Sequence, residues 1–220
     1  MHAIGSSLPY AVAIALSAPP ILALVVVMVT IRPVKVPAMF LLGWTTGILL
    51  VAGVLVGLVD LSVGPRLPAT VGTIVLIVGG VAVGVLALRS WRQRSGARDV
   101  PPKWLASITR WSESRALRVG FTLGSVNPKN VVLVAAGAAA MLEASTAPGE
   151  LTIAVMVFAV VSSLGVATPI LLREFGGSRM NSGLERAAQW MTVHSKSLST
   201  AVLIIIAIVM LGNGLGRLIG

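Results

Sequence analysis

The sequence predicts an all-α membrane protein: six transmembrane helices forming a 3+3 inverted repeat, with helices 1 and 4 broken. Three observations lead there. Hydrophobic residues make up 56% of the 220-residue chain and charged residues only 11%, where a soluble domain carries about a quarter charged. Six apolar windows of about 20 residues, the length that crosses a hydrocarbon core, follow one another along the chain. Two proline motifs interrupt the first and fourth windows at an offset of 108 residues, close to half the chain.

The windows are 8–31, 36–59, 67–88, 119–142, 151–172 and 198–219. Residues 1–220 thus read as one six-span membrane domain. Repeat one covers about 8–88, repeat two about 119–219, and a basic linker, 89–118, joins them. The first window has no basic start, and its apolar run continues to Ile31. It therefore reads as an uncleaved span and not as a signal peptide. Thr168-Pro169 is expected to bend or end the fifth helix near its inner end. Trp44 sits well inside the second span, where it lines a cavity or packs. Five Gly-x-x-x-Gly spacings, Gly43/Gly47, Gly53/Gly57, Gly80/Gly84, Gly120/Gly124 and Gly212/Gly216, allow close helix approach and are expected to serve packing or a homodimer seam.

Charge sets the orientation. Of 17 Lys and Arg residues, fourteen fall in the first, third and fifth connections. Arg66 and Arg217 lie on the opposite side, and Lys129 lies within a span. Basic loops stay cytoplasmic, so both termini are expected outside a plasma membrane. The net charge of +10 is then explained by cytoplasmic loops facing membrane lipids, with no nucleic acid as partner. In the two long connections, Trp104, Ile108 and Trp111 share one helical face, as do Leu184, Ala187, Ala188 and Met191. Both segments are expected on the inner membrane surface. Asp60, Glu143 and Glu150 are expected to be solvated at the outer boundary, and Arg173 and Glu174 to form a surface pair.

Composition also narrows the chemistry. There is no cysteine, and the two histidines, His2 and His194, lie at segment ends. Thiol chemistry is excluded, and no metal or other cofactor is expected. No Ser-His-Asp set, intramembrane carboxylate pair or phosphate loop occurs, so the chain is not expected to be an enzyme.

The candidate site is the pair of breaks. In the first window Ser17-Ala18-Pro19-Pro20 interrupts the apolar run; in the fourth, Ser125 is followed by Asn127-Pro128-Lys129-Asn130. Aligning Pro20 with Pro128 aligns Ser17 with Ser125. Three spans is an odd number, so the second half enters from the opposite face, which makes the repeat inverted. At 1.5 Å per residue, Pro20 lies about 18 Å and Pro128 about 14 Å from the starts of their spans. Both reach the middle of a core about 30 Å thick. Broken helices there offer free carbonyls and half-helix N-termini to a ligand. A charge retained at that depth points to function: Lys129 can bind an anionic group or exchange a proton. Asn127 and Asn130 offer donors and acceptors, and Ser17 and Ser125 can bond freed carbonyls or substrate. The site residues are therefore Ser17, Pro19, Pro20, Ser125, Asn127, Pro128, Lys129 and Asn130.

Six spans, Leu16-Ser17-Ala18-Pro19-Pro20-Ile21 in the first and Asn127-Pro128-Lys129-Asn130 in the fourth resemble the LysE superfamily of exporters. Within it they look most like the GAP branch of actinobacterial glycolipid- and sulfolipid-addressing proteins. Ala18 stands where that branch often has a proline. The resemblance implies export across the plasma membrane: of a cell-envelope (glyco)lipid in the GAP branch, or of amino acids and other small solutes in the wider superfamily. It also implies a larger lipid transporter of the MmpL type as a partner, which leaves a non-transporting partner subunit as a further alternative.

Overall fold

The structure, a computed structural model, describes residues 1–30, 35–63, 69–92 and 111–219. Among the described residues seven helices follow one another and no strand occurs: α1 (His2–Ala15), α2 (Ala18–Thr30), α3 (Lys35–Val63), α4 (Ala69–Arg92), α5 (Glu113–Ser125), α6 (Pro128–Ala144) and α7 (Pro148–Ile219). Trp104 and Ile108, together with most of the basic linker, lie outside the described residues. So do the side chains of Asp60, Leu184, Ala187, Ala188 and Met191.

The first and fourth expected spans are bent pairs. The axes of α1 and α2 meet at 53° and those of α5 and α6 at 58°. The helix segments Lys35–Leu58, Thr70–Arg92 and Pro148–Phe175 are each long and apolar enough to cross a bilayer. That gives three candidate spans, or five when each bent pair counts as one. The expected sixth span is the end of α7, where the apolar stretch Leu203–Gly216 is shorter. Large apolar side chains such as Leu58, Ile74, Val78, Val160 and Ile205 are exposed around the bundle. Such a surface suits hydrocarbon and would be a liability in water.

Pro169 does not end its helix: α7 runs on through it. A proline removes one backbone donor and leaves one carbonyl four residues earlier unpaired. In the preceding turn the Thr168 hydroxyl donates to the Leu164 carbonyl at 2.7 Å. The expected surface connection after Arg173 is helical too. Both parts of α7 lie against the 14-residue α1: Gly165 at its end and Ile206 and Val209 along its side. A straight helix of this length would run about 108 Å, so α7 turns between those two contacts.

Glycine decides two seams. A Cβ at Gly43 would collide with the Leu117 carbonyl, and one at Gly120 with the Phe40 carbonyl. One at Gly47 would lie 2.7 Å from the Phe121 carbonyl oxygen, and one at Gly124 2.7 Å from that of Trp44. Two Gly-x-x-x-Gly pairs thus interlock, and α3 runs parallel to α5 with backbones touching. At the other seam a Cβ on Gly165 of α7 would collide with the Ala15 carbonyl of α1. Gly53, Gly57, Gly212 and Gly216 face open space, so not every such spacing packs helices. α4 and the end of α7 are antiparallel: Ser90 and Thr200 hydroxyls lie 2.7 Å apart, and Gly80 faces Leu211.

Polar contacts tie the ends of the first broken span to α7. At one end Glu150 accepts from the Ala3 amide at 3.3 Å and from the Ser145 hydroxyl at 2.9 Å, and pairs with the Met1 ammonium. At the other, Arg173 Nη1 donates to the Met28 carbonyl at 2.7 Å, satisfying an orphan acceptor in the last turns of α2. Arg173 is thus a helix cap as well as a surface cation. Trp111, expected at the membrane surface, is buried instead, with its ring stacked on Phe40 at 6.2 Å. Its neighbour Ser112 caps α5 by accepting from the Arg115 amide, which turns the chain inward and seats Trp111 on α3.

Candidate functional site

The second break is built by its own side chains. Asn127 has extended backbone and caps α6, its Oδ1 accepting from the Lys129 amide at 3.1 Å. Pro128 occupies the first turn, where its missing donor costs nothing and its fixed φ suits the helix. Asn130 is fully buried and reaches back across the bend, Nδ2 donating to the Leu123 carbonyl at 2.9 Å. Ser125 turns its hydroxyl to the Phe121 carbonyl at 2.7 Å, stabilising the last turn of α5. Four of the expected site residues therefore shape the bend. Lys129 is half-buried, and its ammonium has no hydrogen-bond or ion-pair partner among the described residues.

The first break is built differently. Ser17 is buried, and its amide donates to the Ile14 carbonyl at 3.0 Å, tightening the end of α1. Pro19 and Pro20 follow in the first turn of α2. Each lacks an N–H, so two of the donors that a helix start normally presents are missing. Ala15, whose carbonyl faces Gly165, is the last residue of α1.

Register brings the two breaks to one depth. Glu150 in the first turn of α7 bonds both Ala3 at the start of α1 and Ser145 at the end of α6, so α1 and α6 are antiparallel. Ser6 Oγ donates to the Ala140 carbonyl at 3.0 Å. Descending about 14 Å along each helix from that contact leads to Ala15 on one side and Val131 on the other. The first break thus faces the level of Lys129 and Asn130. No hydrogen bond joins Ser17–Pro20 directly to Ser125–Asn130 among the described residues.

The same level holds polar residues that the motif search passed over. Thr45 of α3 shares its hydroxyl between the Leu41 carbonyl (3.0 Å) and Ser163 Oγ of α7 (2.9 Å). Ser163 in turn donates to the Ala159 carbonyl at 2.7 Å. Two hydroxyl pairs, Thr45-Thr46 and Ser162-Ser163, sit near the centres of otherwise apolar windows. That is the signal that could have found them.

An apolar groove of about 190 Å³ opens between α1 and the end of α7. Its walls include Tyr10, Ala13 and Leu16 on one side and Ile205 and Val209 on the other. It reaches the first break, because Leu16 directly precedes Ser17. Among the described residues no group of three or more possible metal ligands is brought together.

Bent helix pairs with a lone ammonium at one bend, inside a bundle whose outer surface is apolar, define a polytopic membrane protein of the helical class. Residues 8–216 match the model of a family described as Sap, sulfolipid-1-addressing protein, and the chain belongs to that family. No curated protein and no solved structure matches it.

Proposed function

We propose that the protein exports an anionic cell-envelope (glyco)lipid or similar amphiphile across the plasma membrane, through the site at the two breaks. The observation that carries this reading is Lys129. All seven acidic residues of the chain lie outside the six apolar windows, so no carboxylate inside a span balances the ammonium. A partly buried cation in that setting is stabilised by an anion that arrives with the cargo. The family description supports a sulfolipid as that cargo, and the apolar groove beside Leu16 suits a hydrocarbon tail better than it suits an amino acid.

The arrangement also supports a 3+3 inverted repeat of the LysE superfamily type. The second span runs along the start of the fourth, and the fifth runs along the first. The third and sixth lie antiparallel, as an axis in the membrane plane requires. In this reading both termini are extracytoplasmic, the basic connections face the cytoplasm, and the two halves rock about the site to alternate access. The protein is then a carrier and not an enzyme. It works alone, as a homodimer or beside an MmpL-type transporter.

The test is export in cells lacking the chromosomal copy and complemented with variants. Lys129→Ala and Asn127→Ala should stop delivery of envelope lipid to the outer surface while insertion and amount of protein stay normal. Undiminished delivery by both variants would rule the site out. Capture of a larger transporter that is lost when the basic connection from Arg89 to Arg118 is neutralised, with Lys129→Ala of little effect, would favour the partner-subunit alternative. A reporter fused after Gly220 should be active outside the cytoplasm; activity inside would overturn the orientation and the repeat together.

A further inference from the structure

We propose that Trp44, Ser162 and Asn130 form a hydrogen-bonding subsite for uncharged hydroxyl groups, beside Lys129. The inference rests on the export reading, because it assigns these residues to the polar head of the cargo. Each of the three is fully buried, and each has a polar atom without a partner among the described residues: Trp44 Nε1, Ser162 Oγ and Asn130 Oδ1. More than nine in ten buried polar groups in folded proteins are satisfied, so each of these atoms calls for a partner, and what sets the three apart is that they lie close to one depth.

Their common depth follows from contacts already described. The Trp44 backbone passes Gly124 near the end of α5, and Asn130 is bonded to Leu123, the residue before it. Thr45, next to Trp44, is bonded to Ser163, next to Ser162. Ser162 lies one helical turn beyond Phe158, which packs on Gly137 of α6. Because α6 and α7 are antiparallel across a short loop, that turn leads from Gly137 toward Asn130. All three residues therefore lie within about two helical turns of the second break.

The mix of functions selects the ligand chemistry. An indole N–H only donates, a side-chain carbonyl only accepts, and a serine hydroxyl does both. A sulfate or phosphate oxygen cannot use Asn130 Oδ1, and an ammonium cannot use Trp44 Nε1. A hydroxyl both donates and accepts, so a group of neighbouring hydroxyls, as on a sugar or polyol, satisfies all three. The anion of the same head remains with Lys129. The subsite thus reads the neutral part of the cargo and Lys129 the charged part.

The experiment uses the full chain in phosphatidylcholine nanodiscs, with a decyl glucoside below its micellar concentration as probe and the permethylated decyl glucoside as control. Thermal unfolding is followed as each is titrated. Decyl glucoside should raise the unfolding temperature saturably, and the permethylated compound should not. Ser162→Ala and Trp44→Phe should each weaken apparent binding about five-fold, the loss of roughly one neutral hydrogen bond. Without probe, Ser162→Ala should unfold at the same or a higher temperature, because it removes a buried hydroxyl that the fold leaves unpaired. Three outcomes overturn the proposal: binding by Ser162→Ala equal to that of the parent, equal binding of the permethylated compound, or a clear fall in probe-free unfolding temperature with Ser162→Ala. Because binding is read without transport, the two readings separate. Unchanged binding by Ser162→Ala with export still abolished by Lys129→Ala removes the subsite alone. Weakened binding by Ser162→Ala with normal export by Lys129→Ala removes the export site alone.

Discussion

At the first break Leu16 points outward, Ser17 points inward, and the helix that follows opens with two prolines. At the second Val126 points outward, Asn127 caps the next helix, Asn130 bridges the bend, and Lys129 has no counter-ion among the described residues. The two bends are nearly equal, 53° and 58°, yet one is held mainly from outside and the other mainly from within. Bonds from Glu150 and Arg173 of α7 tie the ends of α1 and α2, and Gly165 presses on the bend itself. The bend between α5 and α6 carries its own hydrogen bonds. Similar backbone shapes can thus be maintained by different means.

Substitutions at matched positions can break or sharpen that contrast. The largest effect is expected from charge. Lys129→Ala should reduce export at least ten-fold, whereas Ser17→Ala should change it less than three-fold; equal losses in a flux assay would show that the breaks share the work evenly. Next come the backbone seams. Gly165→Val at the first break, and Gly43→Val or Gly120→Val along α3 and α5, should each destabilise by about 1–3 kcal/mol or more, because a rigid backbone stands where the side chain would go. Gly53→Ala, facing open space, is the control, and thermal unfolding in detergent reads the difference. Asn130→Ala leaves the Leu123 carbonyl unpaired and should cost about 1–3 kcal/mol. Loss of the cap in Asn127→Ala should cost about 1 kcal/mol, most of which Asn127→Ser restores. Proteolysis near the second bend would report both changes locally, and an unchanged cleavage rate would argue that the bend is held by packing alone.

Much of this was legible in the sequence because hydrocarbon imposes simple rules. Apolar windows marked every helix pair, and proline spacing located both bends to within a residue or two of Ser17 and Asn127. What proved illegible depended on tertiary contact. Pro169 is expected from sequence to bend or end its helix; α7 continues through it, with the Thr168 hydroxyl bonded in the preceding turn. Trp111 carried the composition of a surface aromatic, yet the capped start of α5 seats it on Phe40. The bond from Arg173 to the Met28 carbonyl was not legible either, because only the fold brings that carbonyl within its reach. Of five similar glycine spacings, two interlock α3 with α5 and others face open space, a difference that no spacing encodes. The hydroxyl pairs at Thr45 and Ser163 are short, common residues whose significance depends on the helix opposite.

The two prolines that open α2 carry one more consequence. They strip donors from that half-helix, so the positive end of its dipole is a poor seat for an anion. In the export reading the site would then be polarised from side to side, with the Lys129 ammonium on the α6 side and a blunt pole at α2. In the export reading a cargo bearing a single negative charge would then have one preferred orientation. A second anionic group at the far end of the head would gain no matching seat. Cargo valence, and not size alone, would become a criterion of selection.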